Sequence, residues 1–256
     1  MLTYIRNEKG NNMKKKIFGI LIILCLLLLI YGAYKFFMWE SSNKENDSIQ
    51  KELEEEIIEN QNNNKEENYI VDFEKLKKKN ADTVAYLKVN NTKIDYVVVR
   101  GKNNSYYLNH NFNKNKNVAG WVFADYHNKY NGKDKNLVIY GHNMKNGSMF
   151  GTLKNVLKKE WYKNKNNHKL LLVDERGTYY YQVFSTYSIK VEDYYINTKF
   201  KNDDEFYKFI KVLKNRSIYN FNVDLKKTDK ILTLSTCSSG GNMRVVLHAK
   251  LINDSE

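Results

Sequence analysis

Three residue types that together can perform acyl transfer stand at the ends of apolar segments: a cysteine, an arginine and a histidine. Cys237 ends the segment 231–237, and Cys25 is the only other cysteine in the chain. If Cys237 lies outside the cell, as argued below, its thiol lacks a disulfide partner and is open to oxidation. A catalytic nucleophile best explains such a thiol. A buried cysteine that acts as a small hydrophobe is the alternative.

The arginine follows the cysteine closely along the chain. Side chains alternate along a strand, so Ser235 and Cys237 share one face. Residues 238–243 form a turn-rich link to the next apolar segment, which starts at Arg244. In an antiparallel hairpin, Cys237 and Arg244 would face each other across the open loop. A guanidinium there can hold a carbonyl or stabilise an oxyanion. The alternative is a solvated arginine on the surface.

His142 is the predicted acid–base partner. It follows the apolar strand 137–140 and Gly141, so an imidazole emerges directly from a buried strand into a loop. His248 shares the face of Arg244 but lies roughly 13 Å along the strand, too far away to act on the same carbonyl. The remaining histidines lie in loops rich in asparagine and lysine and are predicted at the surface: His110, His127 and His168. Neither paired cysteines nor an HExxH motif occurs, so no metal site or cofactor is predicted.

The elements that must position these residues are mostly short β-strands. They are predicted at residues 93–99, 118–123, 136–140, 169–173, 179–187, 231–237 and 244–252. Many short strands separated by turn residues predict a mainly β fold, either a barrel or a sandwich. Helices are predicted near 71–87 and at 203–215. The second has an apolar face formed by Phe206, Phe209, Ile210 and Leu213.

The N-terminus predicts attachment to a membrane. Three lysines at residues 14–16 precede an uncharged run over 17–34, which is long enough to cross a bilayer as a helix. The positive-inside rule then places residues 1–16 in the cytoplasm and the chain after residue 39 outside the cell. We interpret 17–39 as an uncleaved signal-anchor, with Cys25 embedded in the membrane and silent. A cleaved signal peptide is the alternative, and Met13 is an alternative start.

Composition divides the remainder of the chain into two parts. Residues 40–68 are rich in Glu, Lys and Asn and predict a solvated, partly helical stalk. Residues 69–256 are long enough for one domain with a full core. The net charge of +13 comes from lysines spread along the whole chain among asparagines. This pattern and the external location argue against nucleic acid as a partner.

The motifs resemble those of the sortase family, and specifically its class B. Residues 233–237, Thr-Leu-Ser-Thr-Cys, resemble the TLxTC nucleophile motif, and Arg244-Val245-Val246 the arginine strand that follows it. Tyr140-Gly141-His142 resembles the segment that ends in the catalytic histidine. Further class B features are seen at residues 94–99, 104–108, 123–126, 148–151, 195–196 and 203–215. The resemblance extends from about residue 69 to the end of the chain.

The resemblance implies a fold and a mechanism. The fold is a closed β-barrel of about eight strands with N-terminal helices and an extra helix between strands six and seven, preceded by one transmembrane helix. In the mechanism, Cys237 attacks the carbonyl after a threonine in a C-terminal sorting motif, and a thioacyl intermediate forms. His142 moves the protons, while Arg244 and the backbone N–H near Ser238 stabilise the oxyanion.

The resemblance also implies partners. Secreted proteins that bear a sorting signal would be joined to an amine of the peptidoglycan stem peptide at the cell surface of a Gram-positive bacterium. The peptide groove would be lined by Asn104, Leu108, Tyr195, Ile196 and Ser235. The alternatives are a pilin-polymerising sortase that uses a lysine acceptor, a mainly hydrolytic relative, and an inactive membrane-tethered peptide-binding module.

Two departures from the class B pattern bear on the site. Only six residues, 238–243, separate Cys237 from Arg244, and several class B members have a longer loop. Ser238 and Ser239 stand where some members carry an acidic residue after the cysteine. We therefore predict a catalytic set of Cys237, His142 and Arg244 without an aspartate.

Overall fold

The computed structural model describes residues 2–60, 68–237 and 242–252, and side chains at 14–57, 69–236 and 242–252. Two compact units are present, Met1–Lys44 and Glu45–Glu256. The helices are α1 (Leu2–Glu54), α2 (Phe73–Lys79), α3 (Lys159–Lys163) and α4 (Asp203–Asn215). The strands are β1 (Ile57–Asn60), β2 (Asn68–Val71), β3 (Thr83–Val89), β4 (Asp95–Val99), β5 (Phe123–Ala124), β6 (Asn136–His142), β7 (Lys169–Asp174), β8 (Gly177–Lys190), β9 (Ile231–Cys237) and β10 (Met243–Ile252).

The N-terminal unit is helical and belongs to α1. Its large apolar side chains between Ile17 and Phe37 are exposed, as expected of a surface that faces lipid. By length and composition this helix can cross a membrane.

The second unit is built on a closed barrel of eight strands, in the order β10-β8-β7-β3-β4-β5-β6-β9. Neighbouring strands are antiparallel except for the pairs β4–β5 and β6–β9, which are parallel. Since β6 and β9 run in the same direction, their carboxyl ends meet at one rim of the barrel. The predicted closed barrel is confirmed.

Helix α4 lies between the sixth and seventh barrel strands, with the bounds predicted from the sequence. The Asn202 side chain caps its start by accepting a hydrogen bond from the Glu205 N–H at 2.9 Å. Its predicted apolar face is buried against residues of β8, β9 and β10, among them Phe184, Ile231 and Val246. Acidic residues in the first turn and Lys214 in the last complement the helix dipole.

The prediction of a helix over 71–87 is wrong in its second half. α2 starts after Asp72, whose carboxylate caps Lys75 N–H at 3.0 Å, and it ends at Lys79. Asn80 ends the helix because its side chain is buried and bonded elsewhere, donating to the Phe112 carbonyl at 2.7 Å and accepting from Asp82 N–H. The chain then continues as strand β3, most of whose residues are buried. Residues 71–87 therefore contain two elements of different period, a short helix and a strand.

The segment predicted as a stalk contributes to the folded unit. The second unit begins at Glu45 rather than at residue 69. Ile49 and Leu53, on one face of α1, are only 5% and 1% exposed. Gln50 donates from its amide to the Asp95 carbonyl at 2.7 Å. The spacing of these apolar residues therefore reflects packing on the barrel, and β1–β2 forms a further small sheet.

The predicted strand at 118–123 is mostly irregular. Only Phe123 and Ala124 form β5, and Val118 is exposed. Gly120 has a φ of +58°, a left-handed conformation that does not fit an extended strand.

Candidate active site

A cleft of about 260 Å³ opens at the barrel rim where β6, β9 and β10 meet. It is lined by seven of the residues singled out in the sequence: Asn104, Leu108, His142, Tyr195, Ile196, Ser235 and Arg244. These residues come from five separate stretches of chain, and the barrel brings them together. Their individual roles remain predictions.

His142 is the last residue of β6, and its backbone is firmly held. The His142 carbonyl accepts hydrogen bonds from Met144 N–H at 3.0 Å and from Phe150 N–H at 2.9 Å. Gly141 allows this arrangement, since a Cβ there would lie 2.6 Å from the Phe150 ring. The strand end and the loop after it are thus locked around the imidazole.

The two ring nitrogens of His142 have different surroundings. Nε2 lies 2.6 Å from the Leu108 carbonyl oxygen. Because a carbonyl only accepts, Nε2 carries a proton. Nδ1 is buried and has no hydrogen-bond partner among the described residues. The nitrogen available for proton exchange is therefore Nδ1.

Cys237 is the neighbour of His142 across the sheet. The parallel register of β6 and β9 pairs their Cα positions directly. The Cys237 side chain lies outside the described side chains, and Ser238 lies outside the described residues. The backbone alone therefore places the thiol-bearing residue beside the imidazole-bearing one.

Arg244 belongs to the strand on the other side of Cys237. β9 and β10 are antiparallel, with Val246 opposite Ser235. Val245 N–H donates to Thr236 Oγ1 at 2.9 Å, which extends the pairing towards the loop. The pairing ends at Val246–Ser235, and the same register continued by two residues would set Arg244 opposite Cys237. Arg244 Nη1 is buried and lacks a hydrogen-bond partner within the described part of the chain.

One wall of the cleft is a short 3₁₀ turn, Tyr194–Ile196, which follows β8. The hydroxyl of Tyr195 and that of Ser235 are hydrogen-bonded at 3.0 Å, which ties this wall to β9. Tyr195 is only 3% exposed, so its ring supports the cleft more than it faces solvent. Ile196 packs on the buried cluster that includes Phe206 and Phe209 of α4.

The opposite wall contains Asn104, whose amide is oriented by a buried carboxylate. Asn104 Nδ2 donates to Asp125 Oδ2 at 2.7 Å, and its Oδ1 accepts from Tyr126 N–H at 3.0 Å. Asp125 also accepts from the Tyr140 hydroxyl at 2.9 Å. Sequence reasoning did not assign this role to Asp125. A carboxylate directly after a buried apolar pair was the available signal.

Sequence reasoning also missed the acidic edge of the cleft. Glu192 and Asp193 line it next to Val191. The Glu192 carboxylate forms an ion pair with Arg216, the residue that caps the end of α4. Acidic residues placed just before the Tyr195-Ile196 motif were the only sequence signal, and they did not reveal the distant arginine.

The remaining histidines lie away from the cleft lining. His248 is fully buried inside the barrel; its Nε2 is 2.8 Å from the Tyr187 hydroxyl and its Nδ1 2.9 Å from Thr233 Oγ1. Burial, with the nearby Arg216 charge, lowers the pKa of His248 to about 3. The expectation of a surface His168 is wrong: it is 8% exposed, and Tyr162 and Phe221 pack on its ring.

Comparisons with known proteins agree with the closed-barrel fold. A sortase domain matches residues 87–252. Sortase B of Staphylococcus aureus (strain NCTC 8325 / PS 47) is 32% identical over 244 residues, covering 94% of this chain and 98% of that protein. Sortase B of Listeria monocytogenes serovar 1/2a is 33% identical over 237 residues, covering 91% and 95%. A solved Staphylococcus aureus sortase B–substrate complex is 35% identical, with a TM-score of 0.67 over 72% of this chain and 85% of that one. The chain therefore belongs to the sortase family and, within it, to class B.

Proposed function

We propose that this class B sortase, a cysteine transpeptidase, cleaves a C-terminal sorting motif after its threonine and joins the secreted protein to a peptidoglycan amine. One observation carries the proposal. His142 and Cys237 are paired across β6 and β9, and the imidazole keeps one buried nitrogen, Nδ1, unused by the described residues. A neighbouring base or acid of this kind is what a thiol nucleophile needs.

The first half of the reaction forms a thioester. Nδ1 of His142 first takes the proton of the Cys237 thiol, which leaves a thiolate beside an imidazolium. The thiolate attacks the carbonyl carbon of the threonine, and the carbonyl π electrons move to oxygen. The oxyanion is stabilised by the Arg244 guanidinium and by a backbone N–H near Ser238. As the tetrahedral species collapses, the C–N bond breaks and His142 Nδ1 gives a proton to the leaving amine. A buried Nη1 that lacks a partner among the described residues supports the role of Arg244.

The second half reverses the proton transfer. An incoming amine attacks the thioester carbon and forms a C–N bond. His142 Nδ1 removes a proton from the attacking nitrogen, and the C–S bond breaks to regenerate the thiolate. Throughout both halves Nε2 keeps its proton and donates it in a hydrogen bond to the Leu108 carbonyl. The imidazole thus acts through a single nitrogen.

The sorting peptide is proposed to lie in the cleft between the Asn104 wall and the Tyr195–Ile196 wall. The cleft of about 260 Å³ is lined by Leu108 and Ser235 as well as by these walls. The substrate held by the related Staphylococcus aureus sortase B supports a substrate site in this family. We extend that to a sorting-signal peptide for this chain.

The enzyme is proposed to be a single-pass membrane protein with its N-terminus in the cytoplasm and its catalytic unit outside. An apolar helix preceded by Lys14, Lys15 and Lys16 supports this topology. An outside location is where secreted proteins and peptidoglycan amines are found together.

A peptide library with a randomised motif tests the function. Full-length enzyme in detergent should cleave a subset of peptides after threonine and, when short peptide amines are added, form a new amide with them. Preference for a lysine ε-amine over peptide amines would favour pilin polymerisation instead. Binding of library peptides without any cleavage would contradict a transpeptidase.

A further inference from the structure

The position of one main-chain oxygen controls the imidazole of His142. The Leu108 carbonyl lies 2.6 Å from Nε2 and fixes the tautomer that leaves Nδ1 without a proton in the neutral ring. If this oxygen moved, Nε2 would lose its acceptor and the ring could turn or exchange tautomers. What holds the Leu108 carbonyl therefore matters for the proposed proton transfer.

Gly120 lies against that carbonyl. A Cβ at Gly120 would be 2.8 Å from the Leu108 oxygen and 2.4 Å from the Tyr107 oxygen, closer than real Cβ contacts allow. Its φ of +58° is a second reason for glycine. The next residue, Trp121, donates its N–H to the Tyr107 oxygen at 2.9 Å. Segment 117–121 thus sets where the Tyr107 and Leu108 carbonyls lie.

Asn46 of helix α1 holds Gly120 in turn. Its Nδ2 donates to the Gly120 carbonyl at 3.0 Å and lies 3.4 Å from Asn117 Oδ1. Asn46 is only 2% exposed, so water cannot easily replace this donor. Glu45 adds a second contact by accepting from Asn117 Nδ2 at 3.2 Å.

Gln50, one turn later on α1, provides a matched comparison. It also donates a side-chain amide hydrogen to a main-chain carbonyl, that of Asp95, at 2.7 Å. Asp95 starts β4 and is not part of segment 117–121. Loss of either amide therefore removes a hydrogen bond from α1 to a main-chain carbonyl, and loss of the Asn46 amide also removes its longer contact with Asn117. Of the two residues, only Asn46 contacts the segment that supports Leu108.

We propose that Asn46 and Gly120 are positioning residues for His142, acting through the Leu108 carbonyl. This inference rests on the proposed function of His142 as the acid–base group. It makes a helix that precedes the barrel in the sequence part of the support of the proposed active site. Neither residue lines the cleft, so neither is expected to contact the peptide.

The tautomer of His142 is the direct readout. ¹⁵N chemical shifts of histidine-labelled full-length protein in detergent, assigned with His142→Ala, should show the Nε2–H tautomer in the parent. Gly120→Ala should shift the ring towards a tautomer mixture, and Asn46→Ala should shift it in the same direction by less. Gln50→Ala should leave it unchanged. An unchanged tautomer in both Gly120→Ala and Asn46→Ala would overturn the inference.

Turnover gives a second readout. Displacement of a reacting group by about 1 Å costs on the order of a hundredfold, so Gly120→Ala should lose about that much kcat. Asn46→Ala should lose about two- to thirtyfold, the usual range for residues that act through others. Gln50→Ala should lower Tm by about as much as Asn46→Ala does, but it should keep the kcat of the parent. Equal kcat in Asn46→Ala and Gln50→Ala would contradict the positioning role.

The two proposals fail in distinguishable ways. If His142→Ala keeps substantial turnover, the proposed function of His142 is wrong, whatever the tautomer data show. If His142→Ala is inactive but Asn46→Ala and Gln50→Ala behave alike in both readouts, only the positioning inference is wrong.

Discussion

His142 and Arg244, the proposed reacting groups, each have a buried nitrogen without a hydrogen-bond partner among the described residues. This feature distinguishes them from other residues of the same type. His142 and His248 are both buried at a ring nitrogen. His248 has both nitrogens hydrogen-bonded inside the barrel, whereas Nδ1 of His142 has no hydrogen-bond partner among the residues that the structure describes. The sequence separated the two histidines only by distance along a strand. The hydrogen bonds provide the stronger chemical reason.

Substitution of Arg244 tests its proposed role in stabilising the oxyanion. Arg244→Ala should lose about a hundred- to a thousandfold in kcat, the usual effect of removing an oxyanion donor. Arg244→Lys should recover only part, because an ammonium lacks the guanidinium fork. Steady-state kinetics with a cleaved peptide measures both. Near-normal turnover in Arg244→Ala would favour a purely structural arginine.

His248 should affect stability and its pH dependence rather than chemistry. The pKa of His248 is about 3 in the folded protein, whereas its ordinary value in an unfolded chain is 6.5. Below pH 6.5 the unfolded chain therefore binds a proton that the folded chain does not. The free energy of unfolding therefore keeps its full value above pH 6.5 and decreases as the pH falls towards 3. Between pH 6.5 and 5 the loss should be about 2 kcal/mol.

Chemical denaturation of the parent and of His248→Gln at several pH values measures this difference. The variant should show a shallower loss of unfolding free energy with acid and should keep most of its turnover at pH 7. Loss of turnover in correctly folded His248→Gln, as complete as in His142→Ala, would mean that the active site has been misplaced.

At the scale of elements, helix α4 supports one wall of the cleft. Arg216, its C-terminal cap, pairs with Glu192 on the cleft edge and lies over the rings of Tyr187 and Tyr194. Arg216→Ala should raise KM about threefold to tenfold, from loss of an ion pair and cation–π contacts, with kcat nearly kept. Lys211→Ala, which removes an outward contact with Tyr207, is the matched control. Equal KM in the two variants would refute this support.

Helices and strands whose apolar residues follow one clear spacing were predictable from the sequence. Segments that contain two elements of different spacing were not. α4 and β9 have the bounds read from the sequence, because their apolar spacing and terminal residues agree. The helix over 71–87 failed because Asn80, whose buried partners come from residues 107 and 112, ends α2 early. The support of the cleft by Asp125 and Arg216 was equally hidden, since their partners are distant in sequence.

At the scale of the whole molecule, the proposed topology can be tested directly. Protease added to intact protoplasts should remove the unit Glu45–Glu256, because the lysines at 14–16 hold the N-terminus inside. Immunoblots with antibodies against each end report the cleavage. A catalytic unit protected until the membrane is lysed would reverse the orientation.

Cys237 is proposed to carry the acyl group between donor and acceptor. The acyl-enzyme can be detected by intact-mass spectrometry of the full-length enzyme. The enzyme is incubated with an intact library peptide that it is able to cleave, and no amine is added. We predict a mass increase equal to the peptide up to its threonine, mapped to Cys237, absent in Cys237→Ala and removed when an amine is added. Cleavage after threonine by Cys237→Ala at substantial rates, or an adduct on another residue, would mean that Cys237 is not the acyl carrier.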